Sequence, residues 1–213
     1  MAKEAPVRRK QADRRAEAEE RLIVAATELI AKRGVEGLRL AELGAASGFS
    51  RALPAHYFGR REDLIAEIVR RIIESFQLGI GRDSQATPGL GHVIALMQGY
   101  VRAMLEHHTN IVALHAVFGS APTNPALLET VARLNEESTR HIMASFETGI
   151  GLGEVHPDTN TRHEAVLLLA FLRGLGGMHL VNPDLPIEQL GADYAAALRT
   201  RVAPAKKAPR PRK

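Results

Sequence analysis

The stretch "SGFSRALPAHYFGRREDL", from Ser47 to Leu64, concentrates side chains that can bind an anionic polymer. Its arginines, histidine and tyrosine carry hydrogen-bond donors and positive charge, which suit contacts with phosphates and with the edges of bases. Small alanines between them leave room for a close approach of the backbone. The pattern therefore predicts a nucleic-acid-binding surface, and the alternative is a helical hairpin in a bundle that binds no ligand.

Two short helices and a glycine turn would position these side chains. The leucine spacing predicts a helix over Leu40–Ser47, which Gly48 ends. Ser50 is a good N-cap for a second helix over residues 51–57, and Phe49 before it can act as a hydrophobic staple. Two short helices joined in this way form a helix-turn-helix, whose second member can enter the major groove of DNA.

Longer helices flank this pair. In "AEERLIVAATELIAKRG" the apolar residues recur at helical spacing, and Gly34 supplies a left-handed stop. Glu62 and Asp63 open a further helix, because carboxylates are favourable at the N-terminal end of a helix dipole. Apolar residues at helical spacing continue that helix to about residue 80.

From about Glu17 to Ile73 the sequence resembles the N-terminal DNA-binding domain of TetR-family transcriptional regulators. The resemblance rests on Gly34, on "RLAELGAASGFSRALPAHYF" and on "GRREDL", which follow the family pattern without a gap. It implies that residues 39–58 are the DNA-binding helix-turn-helix. It also implies that double-stranded operator DNA is contacted by Arg39, Ser50, Arg51, Ala52, Ala55, His56, Tyr57 and Arg61.

Some positions depart from the family pattern. Ala55 stands where the family usually has an aromatic residue, and Pro54 stands where it usually has an aliphatic one. Leu38 and Arg39 replace the hydroxyl residue that usually precedes the second helix. With Ser50 as N-cap, Pro54 would lose only the first intrahelical hydrogen bond, so we expect the short helix to tolerate the proline ring.

Positive charge is concentrated at both ends of the chain, whose formal net charge is +4. The arginines and lysines there have no apolar neighbours to pack, which predicts disordered basic segments over residues 1–15 and 202–213. We expect the first of them to follow the DNA backbone or to enter a minor groove. Between them we expect a helix-turn-helix domain over residues 16–76 and a second domain over residues 77–201.

The composition argues against several other classes of protein. The 213 residues include no cysteine, which excludes disulfides and thiolate chemistry. His107, His108 and His115 could in principle bind a metal, but the sequence favours solvated or hydrogen-bonded histidines. We therefore expect no catalytic site, no metal and no cofactor. The longest apolar run, residues 165–172, is too short to span a bilayer, so we expect a cytoplasmic protein without a membrane partner.

Only helical periodicity follows residue 77, so the predicted fold is all-α, with a three-helix DNA-binding domain and a C-terminal helical ligand-binding and dimerisation domain. A helix from Arg162 to Val181, opened by a capping box of Thr161 and Glu164, is apolar nearly all round. The family resemblance implies that this helix and the last one form half of a four-helix dimer interface. The interface residues expected on them are Leu168, Leu172, Gly174, Leu175, Gly177, Leu190, Tyr194 and Leu198.

Methionines in the C-terminal domain suit the flexible walls of a ligand pocket, although as ordinary core residues they need no ligand. Several lie on a helix that begins at Leu90 and extends to His108, and a shorter helix over residues 111–118 follows. The predicted pocket residues are Met97, Val101, Met104, His108, Phe118 and Met178.

Together these features predict a homodimeric repressor that a small, fairly apolar ligand releases from its DNA operator. A dimer fits because two half-sites match two-fold symmetry. The ligand would act by favouring a conformer whose recognition helices are wrongly spaced. The alternative is a ligand-independent helix-turn-helix regulator or an architectural DNA-binding protein, and an all-α enzyme is more distant.

Overall fold

The computed structural model describes residues 5–82 and 88–204. Over these residues the chain is all-α, as predicted, with nine α-helices and two short 3-10 turns and no strand. The helices are α1 (Ala5–Arg33), α2 (Leu40–Ala46), α3 (Leu53–Phe58), α4 (Arg61–Arg82), α5 (Leu90–Glu106), α6 (His108–Ser120), α7 (Pro125–Gly151), α8 (Thr161–Val181) and α9 (Ile187–Arg201).

The chain divides into two compact units. Unit 1 comprises the described parts of Met1–Ile73 and His107–Ala132, and unit 2 comprises those of Glu74–Glu106 and Arg133–Lys213. Unit 1 is therefore larger than the predicted segment 16–76, because α6 and the start of α7 join it. The cause is apolar burial, since α6 packs on α1 and buries Ile111, Leu114 and Val117.

Unit 1 packs α1, α2 and α4 around a core of fully buried aliphatic side chains, among them Leu22, Ile30, Leu43, Leu64 and Ile68. An ionic cluster also joins α1 to α4. The Arg71 guanidinium pairs with Glu19 at 2.6 Å and with Glu67 at 2.9 Å, and it binds Glu20 as well. These contacts fix α4 against α1, which also packs on α2.

The N-terminal basic segment differs from its prediction. Helix α1 begins at Ala5, so residues 5–15 are helical rather than a disordered arm, and residues 1–4 lie outside the described part of the chain. The sequence "APVRRKQADRRAEAEE" consists mostly of alanine, arginine, glutamine and glutamate, which are strong helix formers. Its proline stands at the second helical position, where a missing N–H breaks no hydrogen bond. Propensity thus extends the helix beyond its packed part.

Helix α3 also begins later than predicted. Its first residue is Leu53, whose N–H donates to the Ser50 carbonyl at 3.1 Å, and Ala52 occupies the cap position without a side-chain hydrogen bond. Ser50 is therefore not the N-cap. Pro54 explains the shift, because a proline fits the first helical turn, where its missing N–H would be unpaired anyway.

Unit 2 is built from α5, the later part of α7, α8 and α9. Met97, Met104, Phe146, Leu168 and Leu198 are fully buried in it. Helix α8 begins differently from its prediction, since the Asn160 side chain, not a Thr161–Glu164 box, accepts the His163 N–H at 3.0 Å. The Glu164 carboxylate instead binds Arg201 of α9 through two guanidinium nitrogens, at 3.0 and 2.8 Å.

Two further boundaries differ from the prediction, one between α5 and α6 and one at the C-terminal segment. Helix α5 ends at Glu106 and α6 begins at His108, so the helix predicted to reach His108 stops earlier, and the helix predicted over residues 111–118 starts earlier. Val202 is buried and its carbonyl accepts the His156 N–H at 2.8 Å, so the predicted C-terminal tail begins after it. Residues 205–213 lie outside the described part of the chain.

Among the described helices, α8 alone is long and apolar enough to cross a bilayer by length and composition. Core helices of soluble proteins meet the same criterion. Here α8 packs on α5 within unit 2. Its inner face carries Leu168, Leu172 and Leu175, which are buried. The absence of a membrane partner remains a prediction.

Candidate nucleic-acid interface

The turn between α2 and α3 is held by backbone contacts that require glycine. Gly48 has φ +76°, a left-handed conformation that glycine adopts without strain. The Phe49 N–H then donates to the Gly44 carbonyl at 2.8 Å. A Cβ on Gly44 would overlap the Ser50 carbonyl, so α2 and the start of α3 are in direct backbone contact.

An arginine of α1 supports this turn from behind. The Arg21 guanidinium donates to the Ser47 carbonyl at 2.9 Å and lies 4.6 Å from the centroid of the Phe49 ring. The Ser47 hydroxyl in turn donates to the Leu43 carbonyl at 2.6 Å. Because a guanidinium can bond a carbonyl and stack on a ring at once, Arg21 fixes two residues of the turn. The sequence analysis did not identify it, since its partners lie 26 and 28 positions away.

Most of the side chains predicted to contact DNA are exposed. The exposed residues are Arg39, Ser50, Arg51, Ala52, Ala55 and His56. Tyr57 is half-buried, with its ring edge-on to His56 at 6.0 Å, and Pro54 is buried. The short helix therefore places Pro54 inward and its small and basic residues outward. Which of them contact bases remains a prediction.

Arg61, predicted to contact DNA, binds neighbouring groups of the protein through its guanidinium instead of lying free at the surface. Its guanidinium donates to the Val35 carbonyl and lies 3.4 Å from the Glu36 carboxylate, and its side chain is only 24% exposed. Arg61 thus joins the start of α4 to the turn after α1. Its neighbour Arg60 is exposed and binds both oxygens of Asp63 at 3.1 Å, which raises the pKa of the Arg60 guanidinium.

The N-terminal extension of α1 reaches α3. The Arg15 guanidinium lies 5.5 Å from the centroid of the Tyr57 ring. Gln11, Ala12, Arg14 and Arg15 form one wall of a groove of about 580 Å³, whose other wall is Leu53, His56 and Tyr57. Sequence reasoning missed this arrangement because it assigned residues 1–15 to a disordered arm.

The predicted ligand pocket is only partly assembled. Met97 and Val101 line a cleft of about 340 Å³ between α5 and α9, together with Gln98, Arg102, Glu188, Gly191 and Ala192. Of the remaining predicted residues, Met104 is buried in the core, and His108 and Phe118 belong to unit 1. Met178 is 60% exposed. Met178 does not line a pocket because successive helical residues turn by about 100°, which places its side chain opposite the inner face of α8.

Several residues predicted at the dimer interface are buried within the protomer. Leu168, Leu172, Leu175 and Leu198 lie in the core of unit 2, so they are not available to a partner. Leu190, Tyr194 and Gly177 are half-buried, and the Tyr194 ring stacks on Phe171 at 4.0 Å. The outer face of α8 instead exposes a stripe of small and apolar residues, which we call the α8 outer stripe: Leu167, Ala170, Gly174, Met178 and Val181.

Titratable groups suggest no metal site in the described part of the chain, where no three histidines or carboxylates cluster closely enough to hold an ion. His92 and His141 form a pair with ring centroids 5.7 Å apart. Burial, and then the neighbouring His141, lowers the pKa of His92. Burial also raises the pKa of the Tyr100 hydroxyl to about 12. The histidine pair and Tyr100 both belong to unit 2.

Comparison with known proteins agrees with this geometry. Residues 22–68 match the family model described as bacterial regulatory proteins, tetR family. A Rhodococcus sp. protein assigned to the TetR-family transcriptional regulators has a TM-score of 0.80 at 20% identity, with 88% of this chain and 100% of that one covered. The fatty acid degradation regulator FadR from Bacillus halodurans has a TM-score of 0.70 at 14% identity, with 84% and 93% covered.

A Saccharomonospora viridis protein assigned as a transcriptional regulator and solved in complex with choline has a TM-score of 0.68 at 18% identity, with 88% and 98% covered. A search of curated proteins gives no match to the sequence. The similar structures are regulators rather than enzymes. Residues 22–68 therefore match the DNA-binding segment of the tetR family of bacterial regulatory proteins, and most of the chain shares its fold with solved structures assigned to transcriptional regulators.

Proposed function

We propose that the chain is a homodimeric, cytoplasmic repressor that binds a double-stranded operator through α2 and α3 and leaves it when a small, fairly apolar ligand binds unit 2. The observation that carries the proposal is the exposed row of donors at the start of α3, on a turn fixed by Arg21. A rigid turn presents these donors in one geometry, which sequence-specific recognition requires.

Base reading is assigned to the start of α3. Arg51 and His56 are exposed there, and a guanidinium can donate two hydrogen bonds to one guanine edge in the major groove. Arg39, exposed at the start of α2, is assigned to a backbone phosphate, which positions the protein without reading sequence. Arg60 is a better candidate for a second phosphate than Arg61, because its side chain is 76% exposed and bound only to the exposed Asp63, whereas the Arg61 guanidinium is largely buried against Val35 and Glu36.

Dimerisation is assigned to the α8 outer stripe. Its Val181 is 86% exposed, and apolar side chains exposed in a row are stabilised when a partner covers them. The exposed Ala196 of α9 is small enough to allow a second pair of helices to approach. The stripe also accounts for Gly174, whose Cβ position is open within the protomer.

The ligand site is assigned to the cleft between α5 and α9. Met97 and Val101 provide apolar walls, while Arg102 and Glu188 bring charged groups to the same cleft. This lining suits a small molecule with an apolar body and one polar end. The choline complex of the Saccharomonospora viridis protein supports the assignment only in that a protein of this fold was solved with a small molecule bound.

Selection from random DNA duplexes tests the first part of the proposal. The protein should enrich one two-fold symmetric sequence, and its affinity for that duplex should fall steeply with salt, as phosphate contacts require. Enrichment of no sequence, with binding that depends only on salt, would instead support an architectural DNA-binding protein.

A thermal-shift screen of lipophilic small molecules tests the ligand. A hit should raise the unfolding temperature and lower the affinity for the selected duplex, and Gly191→Leu, which fills the cleft, should remove both effects. A Cβ at Gly191 would lie 3.2 Å from the Val101 side chain, and both residues line the cleft, so the substitution changes its lining directly. Release that persists in Gly191→Leu would place the ligand elsewhere.

A further inference from the structure

Arg15 of α1 lies over the aromatic ring of Tyr57 of α3, with 5.5 Å between the guanidinium carbon and the ring centroid. At separations below about 6 Å the negative face of an aromatic ring attracts a guanidinium, and its planar shape allows stacking. Arg15 lies before the segment 22–68 that matches the family. The contact therefore joins the recognition helix to a part of the chain that the matched segment does not contain.

Helix α3 depends on such contacts for its orientation. It has only six residues, and no side chain caps its first turn. So short a helix is not stable alone and takes its direction from what it packs on. Its buried side is anchored at Pro54, while the side that carries His56 and Tyr57 borders the groove of about 580 Å³ along α1. Arg15 contacts α3 across that groove.

We propose that Arg15 is a positioning residue for DNA recognition, which acts through Tyr57 to hold α3 in the orientation that reads the operator. The inference rests on the proposed function, in which the start of α3 reads bases. In this role Arg15 need not touch DNA, and its contribution is to sequence preference rather than to general affinity. A surface cation–π contact of this kind corresponds to an effect of about two- to fivefold.

Hydrogen exchange of the free protein tests the contact without any DNA. In Arg15→Gln the amides of α3 should exchange about two- to fivefold faster, while those of α5 are unchanged. Arg14→Gln is the matched control, because it removes the same charge from the next residue of the same groove wall. In a Tyr57→Leu background, Arg15→Gln should add nothing, since the ring is gone. Unchanged α3 exchange in Arg15→Gln would overturn the proposal.

Titration with two duplexes separates positioning from direct phosphate binding. The probes are the duplex selected by the wild-type protein and a scrambled duplex of equal length, each at two salt concentrations. Arg15→Gln should lower the ratio of the two affinities about two- to fivefold and leave the salt dependence unchanged, and Arg15→Lys should restore part of the ratio. An equal loss on both duplexes, with a salt slope lower by about one unit, would make Arg15 a phosphate contact and overturn the proposal.

The two arms keep this inference distinct from the proposed function. If the wild-type protein itself does not distinguish the two duplexes, sequence-specific binding fails as a function. The exchange experiment then still decides whether Arg15 orders α3.

Discussion

Units 1 and 2 differ in what their arginines bind and in what their helices expose. In unit 1, arginines bind carbonyls, rings and carboxylates of neighbouring elements, as Arg21, Arg61 and Arg71 do. In unit 2 the Glu164 carboxylate is only 6% exposed and paired with Arg201, while apolar residues of α8 face outward. Under the proposed function the two units have two kinds of partner, since basic side chains suit a polyanion and an apolar stripe suits another protein surface.

Replacing Met178 with glutamate is expected to have the largest effect on this contrast. A charge placed in the middle of the α8 outer stripe would be buried without a partner in the dimer, which costs several kcal/mol. We expect Met178→Glu to weaken dimerisation by at least about 100-fold, measured by analytical ultracentrifugation. Leu152→Glu is the control, because Leu152 is similarly exposed, at 58%, but lies outside α8. If Leu152→Glu dissociates the dimer and Met178→Glu does not, the interface is elsewhere.

Breaking the buried ion pair of unit 2 should have the next largest effect. Glu164→Gln leaves Arg201 without its carboxylate, and because Arg201 retains some access to water we expect a loss of about 2 kcal/mol in the free energy of unfolding. Denaturant unfolding measures this loss. The control is Glu136→Gln, which breaks the exposed pair with Arg162 and should leave the unfolding midpoint unchanged. Equal effects of the two variants would show that the burial of Glu164 does not make its ion pair stronger than the exposed one.

Two arginines of unit 1 should separate base reading from phosphate binding. Arg51→Ala should reduce the preference for the selected operator by about 1–2 kcal/mol, because it removes donors from a base edge. Arg39→Ala should instead weaken binding to all duplexes and lower the salt slope by about one unit. Titrations at two salt concentrations measure both. The assignments are wrong if Arg39→Ala is the variant that changes sequence preference.

The smallest expected effect concerns the His92–His141 pair of unit 2. Because the pKa of His92 is lowered in the folded protein, folding favours its neutral form. Its contribution to stability is therefore present above the unfolded-state value of 6.5 and is lost as the pH falls through 6.5 to the lowered folded value. Unfolding midpoints measured between pH 7.5 and 5 should fall less in His92→Gln than in the wild-type protein. A parallel decline in both proteins would contradict the shift.

Local patterns predicted the elements that local chemistry determines. Gly34 and Gly48 marked where helices end, and the motif around Ser50 located the turn and the recognition helix. The predicted start of α3 is too early, because Ser50 is a good cap in isolation whereas Pro54 favours a start at Leu53. The helical extension of α1 was missed because the prediction asked whether the segment could pack, although its propensity suffices.

Features that depend on tertiary contacts could not be predicted in the same way. The sequence shows that α8 is apolar nearly all round, but only packing decides that Leu168 faces inward and Met178 outward. The supports from Arg15 and Arg21 depend on partners 26 or more positions away. From the sequence alone, the charged residues of α1 predict a face exposed to solvent, and only the tertiary structure shows that Arg15 and Arg21 contact α3 and the turn. The sequence therefore identifies the helix-turn-helix more readily than the side chains of α1 that support it.

The backbone contact at Gly44 has a consequence for how this protein can evolve. Position 44 admits no side chain, and Arg21 and Ser47 fix the turn from the interior side. Substitutions at the exposed Arg51, Ala52 or Ala55 leave those contacts intact, and surface changes of this kind usually alter stability little. If these residues read bases as proposed, descendants of this gene can acquire new target sequences by single substitutions at the three positions, while the contacts that fix the turn are inherited without change.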